Sequence, residues 1–394
     1  MNRLPQDLVF VAAKRTPFGA FGKSLRGVSA IDLGVVASQA AFDASGVAPE
    51  DVDHVIFGNV CQSSVDAIYM ARHIGLKASV PEHVGALTVN RLCGSGFQAV
   101  ISGAMEILTG QATTVLCGGT ENMSQIPHHI YGARTGLRLG QGKLVDYLWE
   151  ALTDPYIKMA MSGTAEKLAK QYEISREQCD ALAALSHNRA EQATADGIFH
   201  AEMAPVTISH RKGDIVDDKD EHFRPGTTVE GLAKLRPVFG GVITAANASG
   251  INDGAAAMIL TTADHAAAKG WTPLARLVSW GVVGCDPTIM GIGPVGATQK
   301  ALSMANLSLD DMDLVEVNEA FAPQYIAVER ALGLNREITN VNGGAIALGH
   351  PLAASGARIT THMIHELKRR DKTLAVGSAC IGGGQGIAVV VERV

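Results

Sequence analysis

Short, unbroken apolar runs punctuate the chain: "HVIFGNV" (54–60), "TTVLCGG" (113–119) and "GIAVVVE" (386–392). Runs of this length without polar alternation suit strands covered on both faces. Glycine-bearing loops and small-residue helical stretches follow them. The order strand, helix, strand therefore recurs in the βαβ manner and predicts an α/β fold. The pattern also repeats. "PEDVDHVIFGNV" (49–60) is matched by "LDDMDLVEVNEA" (309–320), an acidic turn followed by an apolar strand. "TVNRLCGSGFQAVISGA" (88–104) is matched by "NVNGGAIALGHPLAASGAR" (340–358), and "TTVLCGGTENM" (113–123) by "TLAVGSACIGGGQG" (373–386). Three landmarks in one order, offset by roughly 250–260 residues, indicate a duplicated unit.

Between the halves the character changes. Residues 124–245 hold most of the histidine, arginine and acid clusters, including "HRKGDIVDDKDEHFRPG". Helical periodicity is legible in "TAEKLAKQY" and "SREQCDALAALSHNRAEQA". The expected organisation is a first half of 1–123 plus 246–272, an inserted lid or ligand-binding domain of 124–245, and a second half of 273–394.

Composition narrows the setting. At 394 residues, 47% hydrophobic and 18% charged, the chain can bury a large core. A net charge of -6 argues against a general nucleic-acid surface, so a phosphate-bearing ligand must meet a local basic patch. The six cysteines form no C-x-x-C pair, which leaves no zinc spacing and no disulfide framework. "LVFVAA" is too short for a signal sequence, and no apolar run approaches the ~20 residues of a membrane span. A cytoplasmic location is expected, with the mitochondrial matrix as the alternative.

Candidate chemistry concentrates at the repeated loops. A strand over 86–91 and a helix from about Gly94 would set Cys93 at a helix N-terminus, where the macrodipole lowers a thiol from ~8.5. Gly94 and Gly96 would let a substrate carbonyl approach the backbone, with the Cys93 N–H as an oxyanion donor. Read alone, Cys93 is equally an inert buried thiol. His350 is equally a structural histidine, but the repeat puts it in the loop matching that of Cys93, where it can activate a thiol. Cys380 would serve if a proton must move to or from carbon, and Asn318 with Glu319 closes a strand. "PFGAFGKS" imitates a phosphate-binding loop, yet Pro17 stands where the first glycine belongs. The glycines after Cys380 precede no helix, so they do not make a dinucleotide loop. His128, His129, His187, His210 and His222 show no metal spacing and are expected mostly at the surface.

Together "NRLCGSG", "NASGINDGAA", "NEAFAPQ", "GGAIALGHPLAASGARI" and "GSACIGGGQG" resemble the active-site blocks of the thiolase family, in order, over nearly the whole chain. "CDPTIMGIGP", "DLVEVNEAFAPQY" and "ISREQCD" are most similar to its mitochondrial-type 3-ketoacyl-CoA branch. The resemblance implies a duplicated five-layer αβαβα fold, with 124–245 as a coenzyme A-binding loop domain. It implies Cys93 as the acylated nucleophile, His350 as its activator and Cys380 as the acid/base at carbon. Asn318 would hold a water on the enolate oxygen, and the N–H groups of Cys93 and Gly382 would form the second oxyanion hole. Leu152, Met161, Arg224, Phe239, Ser249, Met290, Ala320 and Phe321 match positions lining the coenzyme A tunnel and the acyl end. Further implications are acyl-CoA as substrate, no permanently bound cofactor or metal, and a homodimer or homotetramer.

The implied activity is reversible thiolysis of 3-ketoacyl-CoA in fatty-acid β-oxidation, with condensation of two acetyl-CoA as the alternative. Short-chain biosynthetic members commonly carry a histidine where this chain has Ala160, which favours the first reading. A ketosynthase of the same superfamily would place His or Asn at Cys380. A non-catalytic acyl-CoA-binding module would be expected to have lost Cys93, His350 or Cys380.

Overall fold

The computed structural model describes residues 4–238 and 240–394. The apolar runs are strands of one ten-stranded sheet. In the first half these are β1 (Leu8–Arg15), β2 (His54–Gly58), β3 (Gly85–Val89), β4 (Thr114–Asn122) and β5 (Asn252–Thr262). The second half supplies β6 (Ala275–Gly284), β7 (Leu314–Val317), β8 (Leu374–Ile381) and β9 (Gln385–Arg393). Their order is β7-β8-β9-β6-β1-β5-β4-β2-β3, with the short strand Gly19–Ala20 paired to β5. The halves join where Leu8–Phe10 of β1 pairs antiparallel with Leu277–Ala275 of β6.

The duplication is visible in single hydrogen bonds. Asp53 Oδ2 accepts from the N–H groups of Thr113 and Thr114 at 2.8 and 3.0 Å. Asp313 Oδ2 accepts from Thr373 and Leu374 at 2.9 and 3.1 Å. Each aspartate thus ties the start of one parallel strand to its neighbour, β2 to β4 and β7 to β8. Satisfying two backbone donors with one carboxylate fixes register at the same point in both halves.

Helices cover both faces. Two of them, α3 (Ser95–Leu108) and α8 (Leu352–Arg370), pack against each other in the middle. Their apolar faces (Phe97, Val100, Ile101, Ile359, Met363, Leu367) share one core with Ile56, Met258, Leu260, Ile387 and Val389 from both halves of the sheet. The contact is close because glycine permits it: a Cβ on Gly96 would lie 2.4 Å from the Ala357 nitrogen. Outside the first half lie α1 (Ala30–Ser45) and α2 (Met70–Lys77), and outside the second α6 (Gly293–Met304) and α7 (Ala322–Leu332). Five layers result, as the resemblance implied.

The segment 124–245 carries α4 (Met161–Gln171), α5 (Arg176–Ala195) and three short antiparallel pairs. Ser175 and Gln178 close a reciprocal capping box at the start of α5. A buried ion network clamps this segment to both halves. Arg15 of β1 donates to Glu202 at 2.6 Å and to both oxygens of Asp220 at 2.7 and 2.8 Å. His362 of α8 meets the other Glu202 oxygen at 2.9 Å. Burial opposes charge on Arg15, but Asp220 and Glu202 outweigh it and hold the guanidinium above its ordinary value. No described helix is long and apolar enough to cross a membrane.

Candidate active site

Cys93 stands in a 3₁₀ turn, Leu92–Gly94, between β3 and α3. Leu92 adopts φ 48°, the left-handed region, which costs a non-glycine residue about 1–2 kcal/mol. Local bonds hold it there. Its N–H donates to Asn90 Oδ1 at 2.9 Å, and Ser95 Oγ donates to its carbonyl at 2.7 Å. The turn aims the Cys93 sulfur into a cavity of about 190 Å³.

That cavity brings together most of the expected residues. Cys93 and His350 line it with Leu152, Met161, Ser249, Met290, Ala320 and Phe321. Cys380, at the end of β8, is 1% exposed and packs with Met290 and Ala320 behind the wall. Gly382, two residues on, donates its N–H toward the Cys93 sulfur, as does the Cys93 N–H itself. Arg224 lies outside the cavity, exposed, with its N–H on His187 Nδ1 at 3.2 Å. Phe239 lies outside the described residues. Among the described residues, no cluster is built to hold a metal ion.

Three expectations need correction. The Cys93 thiol is not lowered: burial pushes it up to about 11, more strongly than the N–H groups of Gly382 and Cys93 pull it down, and Glu121 pushes the same way. The 3₁₀ turn also sets the sulfur ahead of α3, which begins only at Ser95. Gly94 and Gly96 do not face the cavity. A Cβ on Gly94 would meet Ile381 and Ile387 at 2.6 and 2.9 Å, so these glycines serve close packing behind the nucleophile. His187, expected at the surface, is 2% exposed, and burial beside His222 and Arg224 pushes it down to about 4.

His350 is 5% exposed. Its N–H donates to Asn252 Oδ1 at 3.2 Å, and its Nδ1 lies 2.5 Å from Ser355 Oγ. Burial, helped by the Arg358 charge, pushes the imidazole down to about 4, so it is neutral at neutral pH. Asn318 Nδ2 sits 3.4 and 3.5 Å from its two nitrogens, while the buried Asn318 Oδ1 has no partner among the described residues. Burial, and then Cys93, raise the Cys380 thiol well above its ordinary value. Two neutral thiols and a neutral imidazole therefore share the site, and protons can be passed among them without a permanent ion pair.

Glu319 accepts from Ser186 and Asn340 at 2.7 and 2.9 Å and fixes the loops behind Asn318. Sequence reasoning missed Glu121 and Asn252. Glu121 accepts from the N–H groups of Val60, Cys61 and Ala353 at 3.1, 3.0 and 3.1 Å, joining the Cys93 and His350 sides. Burial pushes its carboxyl up to about 7. A carboxylate at the end of a wholly buried strand was the available signal. Met123, Trp149, Ile251 and Leu352, also on the cavity wall, carried no signal beyond being apolar.

Each half thus contributes thiol chemistry to one apolar cavity, backed by paired backbone donors: an arrangement for transferring acyl groups through sulfur. The chain belongs to the thiolase family. Residues 8–264 match the thiolase N-terminal domain and residues 271–393 the thiolase C-terminal domain. It is 57% identical to human mitochondrial 3-ketoacyl-CoA thiolase, over 99% of each chain. The crystal structure of that human enzyme in complex with CoA superposes with a TM-score of 0.97 at 55% identity, covering 100% of this chain and 99% of that one. An acetyl-CoA acetyltransferase of Cupriavidus necator is 47% identical, over 98% of this chain and 99% of the other.

These likenesses overturn the cytoplasmic expectation. Mammalian relatives at 54–57% identity, from human to rat, are named as mitochondrial enzymes. Unpaired cysteines and a short apolar start suit any reducing compartment, so composition did not distinguish the two settings.

Proposed function

We propose that this chain cleaves 3-ketoacyl-CoA with coenzyme A, reversibly, to acetyl-CoA and an acyl-CoA shortened by two carbons, within mitochondrial fatty-acid β-oxidation. The observation that carries the reading is the convergence of Cys93, His350 and the Gly382 N–H on one apolar cavity, with Cys380 against its wall. The Cys93 proton passes to His350 as the sulfur attacks the 3-keto carbon. The N–H groups of Cys93 and Gly382 hold the oxyanion formed there. The C2–C3 bond then breaks, the acyl group stays on sulfur, and the electron pair moves into the enolate of acetyl-CoA. His350 and a water on the free Asn318 oxygen stabilise that enolate, and Cys380 delivers its proton to C2. In the second half, Cys380 takes the proton of incoming coenzyme A, whose thiolate removes the acyl group from Cys93, and His350 returns its proton to the departing Cys93 sulfur. A thioester is exchanged for a thioester, so neither half-reaction is steep.

We assign Arg224, exposed and outside the cavity lining, to the coenzyme A phosphates. The apolar wall, with Ala160 rather than a polar side chain on it, favours aliphatic chains beyond four carbons. Strand β3 is a sheet edge, with Leu87 41% exposed and Val65, Ile68 and Tyr69 open beside it, which supports pairing with a second copy. The test is thiolysis of 3-ketoacyl-CoAs of increasing length, with mass spectrometry for an acyl group on Cys93. Wild type should turn over substrates longer than four carbons, and Cys93→Ser should form no acyl-enzyme. Rates confined to the four-carbon substrate would assign the chain to acetyl transfer instead.

A further inference from the structure

His350 has two nitrogens, and only a lone pair facing the cavity can take a proton from Cys93. We propose that Ser355 is a positioning residue that fixes His350 in the Nδ1–H tautomer and so leaves the Nε2 lone pair toward the cavity. This rests on the thiolase reading and deepens it. Ser355 Oγ lies 2.5 Å from His350 Nδ1 and 3.2 Å from the Pro351 carbonyl, one helical turn back. A serine hydroxyl has a single proton, and the carbonyl can only accept. With the hydroxyl proton given to the Pro351 carbonyl, Oγ accepts from Nδ1–H. Asn318 does not choose between the ring nitrogens, since its amide nitrogen stands 3.4 Å from Nε2 and 3.5 Å from Nδ1, so the tautomer rests on Ser355. Ser355 is 1% exposed and sits near the start of α8, whose packing holds its hydroxyl in place. When Cys93 is deprotonated, its S–H bond breaks and the proton joins Nε2, giving an imidazolium whose Nδ1–H stays on Ser355. The same proton is then available on Nε2 for the enolate oxygen.

The experiment compares wild type with Ser355→Ala, ¹⁵N-labelled at histidine, by NMR and by thiolysis kinetics. Alanine is the better helix former, so α8 is retained in the variant. Wild-type His350, assigned by its loss in His350→Gln, should show a protonated Nδ1 and an unprotonated Nε2. In Ser355→Ala the two tautomers should mix. The kcat should fall about 10- to 100-fold with KM held within about threefold, as expected for an interaction made only during proton transfer. Ser355→Thr keeps the hydroxyl and should keep the tautomer. An unprotonated Nδ1 in wild type overturns the proposal even should the variant fail to fold, and so does a Ser355→Ala protein with wild-type kcat. The expected tautomers in a protein inert toward every 3-ketoacyl-CoA would uphold the positioning role while overturning the proposed reaction.

Discussion

Titration of Cys93 separates two ways of readying a nucleophile. A resting thiolate–imidazolium pair ionises well below neutrality and holds its reactivity flat above that point. This site is built otherwise. Burial pushes the Cys93 thiol up to about 11 and His350 down to about 4, so both are neutral between. At pH 8 a thiol near 11 is ionised in roughly one molecule per thousand, against about one in four for an ordinary thiol near 8.5. The assay is inactivation by iodoacetamide from pH 6.5 to 9.5, with the modified peptide identified by mass spectrometry. Because only the thiolate reacts, the rate constant at Cys93 should climb about tenfold per pH unit, roughly a thousandfold across the range, with no plateau. Cys380 is 1% exposed and should react far more slowly. Glu121→Gln removes a nearby charge that disfavours the thiolate and should raise the rate several-fold at fixed pH. A plateau reached below about pH 8 would refute the reasoning, because it would show a thiolate stabilised in the resting site.

Two predictions concern stability. Gly96→Ala gains helix propensity worth about 1 kcal/mol but forces α3 from α8, since the new Cβ would lie 2.4 and 2.7 Å from backbone atoms of Ala357 and Ala353. A net loss of roughly 1–2 kcal/mol in urea unfolding is expected, while Gly27→Ala, with no described atom within 4 Å, should stay within about 0.5 kcal/mol. Acid should weaken the fold before any carboxylate pair is lost. His187, His222 and His350 are held near 4, so between the ordinary ~6.5 and about 4 the unfolded chain binds protons that the folded chain does not. Glu121, raised to about 7, acts in the opposite sense, as do the raised His362, Glu316 and Glu319, while His365 joins the lowered histidines. The urea midpoint should therefore drop from pH 7 to pH 5, and a midpoint that rises over that interval would contradict the burial assigned to these histidines.

The duplication, the strands and the convergence of Cys93, His350 and Cys380 were legible because each rests on local pattern: apolar runs, acidic turns and glycine loops recurring at one offset. What was not legible depends on how the halves meet. A dipole at a helix terminus is a local feature, whereas the wall around Cys93 is built from both halves, and desolvation by that wall is the larger effect. Glycines 94 and 96 were assigned to substrate approach, although what fills the space beside them, Ile381, Ile387 and the α8 backbone, comes from more than 250 residues away. Arg15 gave no sign of its buried partners, because Glu202 and Asp220 reach it only once the inserted segment has folded back.

A duplicated chain has two places where such a site might form, and packing explains why one is used. In the first half, Gly58 occupies the position that Asn318 holds in the second, at the end of the matching strand. A Cβ there would lie 2.7 Å from the Ser95 side chain, so no amide fits. Thr120 stands where Cys380 does, and its hydroxyl is bound to the Ala30 carbonyl at 2.6 Å, holding α1 to the sheet. The first half thus uses these positions to seat α1 and the turn before α3, and that turn aims Cys93. The second half leaves them free for an amide and a thiol. Restoring the symmetry by Gly58→Asn should therefore dislodge α3 and the Cys93 turn rather than create a second site. The variant should lose stability and alkylation of Cys93 together, and a stable Gly58→Asn protein with unchanged Cys93 reactivity would show that packing does not set the asymmetry.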